Sequence, residues 1–162
     1  PGREEIARRL GADDYLIKPV SRAALLGAID ALDRPVQSVL VADDDPEAVQ
    51  LLARMLAASG RGYRVLRATR AGQALALLHS HHPDIILMDL VMPDMDGYQL
   101  LAVKAADPAI RDIATIIVSG MMPDHGLSQG TSFTVVQRGG VGLDDMLAYI
   151  STLTVPDRTS GK

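Results

Sequence analysis

From Val39 onward, short apolar runs alternate with stretches whose apolar residues recur at helical spacing. VLVA (39–42) predicts a first strand, and Val49, Leu52 and Leu56 mark one face of the helix after it. YRVLRA (63–68) predicts a second strand, followed by a helix carrying Leu75 and Leu78. DIILMDL (84–90) predicts a third, then a helix with Leu100, Leu101 and Val103. TIIVS (115–119) reads as a fourth strand and FTVV (133–136) as a fifth, with Leu143, Met146, Leu147, Ile150 and Leu153 on a closing helix. The run at 84–90 is continuous rather than alternating, as in strands covered on both faces of a parallel sheet. A repeated strand-helix order with right-handed crossovers predicts an α/β fold: a doubly wound, five-stranded parallel sheet.

The punctuation agrees. Asp45-Pro46 suits a helix cap and first turn, and Pro83-Asp84 marks the entry to the third strand. Between Gly120 and Phe133, Pro123, Gly126 and Gly130 predict a shortened or missing fourth helix. Residues 1–33 predict a separate helix (Glu4 to Leu10), strand (Tyr15 to Ile17) and helix capped by Ser21, with Leu25, Leu26 and Ile29 needing cover. One strand and two helices cannot bury a core alone. Their layout repeats that of 133–150, so 1–33 is expected to be the C-terminal remnant of a second domain of the same kind. The expected division is therefore 1–33 remnant, 34–37 linker, 38–155 main domain and 156–162 frayed tail. The remnant is expected to pack on the main domain.

Composition narrows the classes. Of 162 residues, 48% are hydrophobic and 3% aromatic, so aliphatic side chains must build the core. A formal charge of −4 without a Lys/Arg run argues against nucleic-acid or anionic-membrane binding in this segment. The absence of cysteine excludes disulfides and thiolate chemistry. With no long apolar run and no signal peptide, a cytoplasmic location is expected. The start at Pro1 suggests an excised piece of a longer protein.

The candidate chemistry is acidic. Ligands of doubly wound sheets bind outside the carboxyl ends of the strands, near the point where strand order reverses. Asp43, Asp44 and Asp45 follow the first strand and Asp89 closes the third. If those strands are neighbours, in the flavodoxin-like order 2-1-3-4-5, Asp43, Asp44 and Asp89 converge. Each close pair then repels by roughly 1–4 kcal/mol, which a cation relieves. Oxygen-only donors with room for water suit Mg²⁺. Asp45 is explained by capping alone. His79, His81 and His82 fit the cation preference of a helix end better than a metal site, and Met121-Met122 reads as packing.

VLVADDDP, DIILMDLVMPDMDG and TIIVSG resemble, in order and spacing, the three motif blocks of two-component response-regulator receiver domains. The resemblance implies a phosphoacceptor at Asp89. It implies Mg²⁺ held by Asp43, Asp44, Asp89 and the Val91 backbone carbonyl, a switch hydroxyl at Ser119, and room for the phosphoryl group beside Gly120. It also implies a phosphohistidine donor on a histidine kinase or histidine phosphotransfer partner, and a parent hybrid kinase or multi-domain regulator.

Receivers end their fifth strand in Lys-Pro, whereas this stretch reads VVQRGG, placing Gln137 or Arg138 there. The family ending appears instead in the N-terminal segment, with Tyr15 at the aromatic switch position and Lys18-Pro19, a bond usually cis in receivers. The alternatives are a pseudo-receiver signalling by contact alone, favoured by the missing Lys, and a Mg²⁺-dependent aspartyl phosphohydrolase, opposed by the lack of an Asp-x-Asp-Gly-Thr layout.

Overall fold

The computed structural model describes residues 2–92 and 95–120. Its elements are α1 (Arg3–Arg9), β1 (Asp14–Ile17), α2 (Arg22–Ala31), β2 (Ser38–Ala42), α3 (Pro46–Ala58), β3 (Arg64–Ala68), α4 (Ala71–His81), β4 (Ile85–Met88), α5 (Gly97–Ala106) and β5 (Ala114–Ser119). The five strands form one parallel sheet in the order β1-β5-β4-β2-β3. Counted from β2 as the first strand, this is the predicted order 2-1-3-4-5, with β1 in the fifth place.

The expected helix-strand-helix of the N-terminal segment is present, and its strand is built into the sheet. β1 pairs with β5 from Asp14↔Ile116 to Ile17↔Ser119. The residues predicted to supply the fifth strand, 133–136, lie outside the described residues, as do the 121–132 stretch, the closing helix and the tail.

Two apolar layers cover the sheet, and strand residues alternate between them as their period of two requires. Leu40, Ala42, Ile86, Met88 and Ile117 face Ala71, Ala74 and Leu78 of α4 and Leu100 and Leu101 of α5, together with Ile6 and Ala7 of α1. Val39, Val41, Ile85, Leu87, Ile116 and Val118 face Leu52 and Leu56 of α3 and Leu25 and Ile29 of α2. Leu25 and Ile29 are buried by the body of the sheet. At about 25 cal/mol per Å² of apolar surface, each such side chain stabilises by roughly 1.5–3 kcal/mol, which is what seats α2. The expected packing of 1–33 on the rest of the chain is thus observed.

The segment leading from α2 into β2 is tied to the same body. Arg34 Nη1 donates to the Asp112 carbonyl at 3.1 Å, and the Gln37 amide donates to Asp84 Oδ2 at 2.8 Å. Asp84 Oδ2 also accepts from the Ser38 amide (2.9 Å) and hydroxyl (3.2 Å), while the Asp84 amide donates to Ser38 Oγ at 3.0 Å. These bonds staple the start of β2 to the start of β4.

Candidate functional site: an acidic pocket at the strand tips

β2 and β4 are direct neighbours, in register from Val39↔Ile85 to Ala42↔Met88, so the residue after each strand sits side by side at the same sheet edge. Those residues are Asp43 and Asp89. The Asp43 amide donates to the Ala68 carbonyl at 3.1 Å and the Asp89 amide to the Ala42 carbonyl at 3.0 Å, fixing both backbones. Asp43 is 1% exposed and Asp89 7% exposed. With exposed Asp44 they bring three carboxylate oxygens within 4.8 Å of one another. The convergence predicted for these three residues is observed, and they are the one such metal-competent cluster among the described residues.

The surrounding turns hold the carboxylates by their own backbones. Asp43 Oδ1 accepts the Asp45 amide at 2.9 Å, and Asp45 caps α3 through the Glu47 amide at 2.9 Å, ahead of Pro46. Asp89 Oδ1 accepts the Val91 amide at 3.1 Å. Asp96 and Gln99 form a reciprocal capping box at the start of α5. Gly97 lies against the Asp89–Leu90 turn, its amide donating to the Leu90 carbonyl at 2.7 Å. A Cβ there would stand 2.5 Å from Leu90 Cα and 2.6 Å from the Asp89 carbonyl oxygen, so only glycine fits.

The pocket contains a lysine. Lys18 Nζ donates to Asp43 Oδ2 at 2.6 Å and to Asp89 Oδ2 at 2.9 Å. Lys18 follows β1, and its amide donates to the Ser119 carbonyl at 2.8 Å; the Lys18–Pro19 bond is cis, as expected. Burial pulls the Lys18 ammonium down, and its bonds to Asp43 and Asp89 outweigh this and leave it raised, so it stays charged. Burial raises the Asp43 carboxyl, against the pull of Lys18. The tip of Tyr15 is hydrogen-bonded to Ser119, the buried hydroxyl ending β5, and desolvation raises its phenol.

Reading the sequence missed that Lys18 and Tyr15 belong to this pocket; they were assigned to a remnant without an acceptor, and the main domain was expected to lack the lysine. The structure corrects that absence. The available signal was that the segment with the family's Lys-Pro ending lies just upstream of the domain that needs it. Gln137 and Arg138 lie outside the described residues. Among the described residues, nothing lies within 4 Å of a Cβ placed on Gly120. Val91 is 43% exposed and touches the site through its backbone. Among the histidines, His79 pairs with Asp107 at 2.6 Å on the helical flank, away from the acids.

The donor set suits a hard divalent cation: three carboxylates, no nitrogen or sulfur ligand, and one face open through Asp44. With all three ionised and Lys18 protonated, the pocket carries a charge of −2, which one divalent ion neutralises.

A doubly wound parallel sheet with an acid cluster, a lysine and a hydroxyl at its strand tips defines a signalling module of the receiver type. Residues 39–130 match the response regulator receiver domain family, and the chain belongs to it. It is 36% identical over 81 residues to Protein PilH of Pseudomonas aeruginosa, covering 50% of this chain and 65% of PilH. It is 36% identical over 84 residues to the polar-differentiation response regulator DivK of Brucella ovis, covering 51% of this chain and 66% of DivK. The chain thus spans just under two thirds of the length of either relative. Among solved structures, the N-terminal domain of a response regulator receiver protein from Methanoculleus marisnigri JR1 is similar at 32% identity and a TM-score of 0.51, covering 59% of this chain and 78% of that one. No helix among the described residues is long and apolar enough to cross a membrane.

Proposed function

We propose that this receiver accepts a phosphoryl group on Asp89 from a phosphohistidine, carried by a histidine kinase or histidine phosphotransfer partner. An Asp89 carboxylate oxygen attacks phosphorus, an O–P bond forms as the P–N bond breaks, and the imidazole nitrogen leaves with the electron pair. Asp43, Asp44, Asp89 and the Val91 carbonyl would hold Mg²⁺, which supplies charge neutralisation for the transferring group. Lys18 turns from the Asp89 carboxylate to a phosphoryl oxygen, and Ser119 donates its hydroxyl to another. Water later attacks the acyl phosphate and restores the carboxylate.

The observation that carries this reading is the convergence of Asp43, Asp44 and Asp89 within 4.8 Å, with Lys18 bridging Asp43 and Asp89. Lys18 removes the main argument for a contact-only pseudo-receiver. A groove beside the pocket, lined by Pro19, Asp45, Leu51 and Val118, leaves Leu51 exposed and suits an approaching helical partner.

The test is incubation of the full chain with Mg²⁺ and beryllofluoride, read by fluorine NMR, or with acetyl phosphate, read by intact mass. An adduct is expected in the native protein and none in Asp89→Asn. Absence of any native adduct would return the reading to a pseudo-receiver. Turnover of phosphomonoesters that survives Asp89→Asn would point to a hydrolase.

A further inference from the structure

The match to the receiver family begins at Val39, yet two side chains of the pocket, Tyr15 and Lys18, come from ahead of it. They arrive on a unit, α1-β1-α2, that meets the sheet along one edge of β5 and is joined to β2 by the short segment after Leu32. That segment is anchored to the body through Arg34–Asp112 and Gln37–Asp84, which fits a unit folding back onto its own chain rather than onto a second copy.

We propose that residues 3–31 form an intrachain complementing unit whose docking on β5 and whose acceptor pocket's loading are one linked equilibrium, so that phosphorylation clamps the N-terminal unit. This inference rests on the acceptor role proposed for Asp89.

The physical reason is a change of charge facing Lys18. The Asp89 carboxylate carries one negative charge, and its acyl phosphate carries two, so the pull on the ammonium grows when the pocket is loaded. Lys18 directly follows β1, and its own amide donates to the carbonyl of Ser119 at the end of β5, so its backbone is fixed to the neighbouring strand. Tension on the side chain therefore passes to the β1–β5 ladder rather than being absorbed by a free loop. Whatever binds the docked state more tightly than the undocked one stabilises docking by mass action, and the converse holds with the same factor. The linkage reaches a unit that precedes the first strand of the matched domain.

Hydrogen exchange of the full chain, followed by mass spectrometry with and without Mg²⁺ and beryllofluoride, tests this, with fluorine NMR reporting the adduct in the same samples. Loading is expected to slow exchange in residues 13–18 by about tenfold or more, and to slow residues 64–68 at the opposite sheet edge by less. In Lys18→Met, which keeps the length of the side chain, the extra protection of 13–18 is expected to vanish, whether the adduct weakens or is lost. An adduct without added protection in the native protein, or equal protection in Lys18→Met, would overturn the linkage while leaving the acceptor intact. No adduct at Asp89 would overturn both readings. A dimer by light scattering that dissociates as protection is lost would show a second copy supplying the unit, and would overturn the intrachain assignment.

Discussion

Lys18 Nζ stands 2.9 Å from Asp89 Oδ2 although 71 residues separate the two in the chain, and the same ammonium reaches Asp43. A positive charge thus already sits among the carboxylates that would hold a divalent ion. At a separation of about 5 Å the repulsion between a unit charge and a divalent ion is about 1.7 kcal/mol even at the dielectric of water. Lys18→Met is therefore expected to bind Mg²⁺ about tenfold more tightly than the native chain by calorimetric titration, while taking phosphoryl from acetyl phosphate at least about a hundredfold more slowly, as loss of one oriented donor implies. Equal Mg²⁺ affinities in native and Lys18→Met would mean that the ammonium leaves the pocket in solution.

Gly97 offers a sharper steric test. Its missing Cβ would collide with the backbone of Asp89 and Leu90 at 2.5–2.6 Å, so Gly97→Ala must displace the Asp89–Leu90 turn or α5. We expect a loss of about 1–3 kcal/mol in urea unfolding, typical of overpacking, together with a weakened beryllofluoride adduct. Gly27→Ala, on α2 with nothing among the described residues within 4 Å of the added methyl, should instead stabilise by about 0.5–1 kcal/mol.

The N-terminal unit should melt with the rest of the chain. Leu25 is fully buried among Leu16, Val39, Val41 and their neighbours, so Leu25→Ala should cost about 2–5 kcal/mol, similar to Leu56→Ala on α3. A single shared unfolding transition that shifts equally for the two variants is the expected result. An early, separate transition in Leu25→Ala would show that the unit folds apart from the sheet.

On the helical flank, His79 joins α4 to the end of α5. Its Nε2 lies 2.6 Å from Asp107 Oδ2 and its Nδ1 3.0 Å from the Leu75 carbonyl, so both ring nitrogens face acceptors and favour the doubly protonated ring. The Asp107 contact, then the Leu75 carbonyl, raise the His79 pKa, and the His79 contact, then the Ala109 amide, lower that of Asp107. The histidine's contribution is complete below its unfolded value of about 6.5 and fades as pH rises through the higher folded one; the aspartate's fades only as pH falls through its depressed folded value. Proton NMR should find His79 titrating above about 6.5 in the native chain and nearer that value in Asp107→Asn. A native midpoint below it would refute the pair.

The strands at 39–42, 84–90 and 115–119 were legible because burial on both faces demands unbroken apolar runs, and Asp45-Pro46 announced the start of α3 correctly. Asp43, Asp44 and Asp89 were legible as a group, because acids that follow two neighbouring parallel strands meet at one rim of the sheet. The occupant of the fifth strand position was not. DYLI at 14–17 and FTVV at 133–136 have the same local character, and a strand's place in a sheet is settled by long-range pairing that no window of sequence contains. The error over the lysine followed directly, since Lys18 travels with β1. The Gly97 contact escaped notice because close approach of two backbones leaves no mark beyond the glycine itself.

The Asp84 carboxylate, at the far end of the sheet from Asp89, sets the relative height of two strands. By gripping the first residues of β2 while opening β4, it forbids the one-residue slip that would turn every inward side chain outward. Levelness at one rim of a stiff ladder is thereby transferred to the other, so the spacing of Asp43 and Asp89 is gauged from a carboxylate that never meets them.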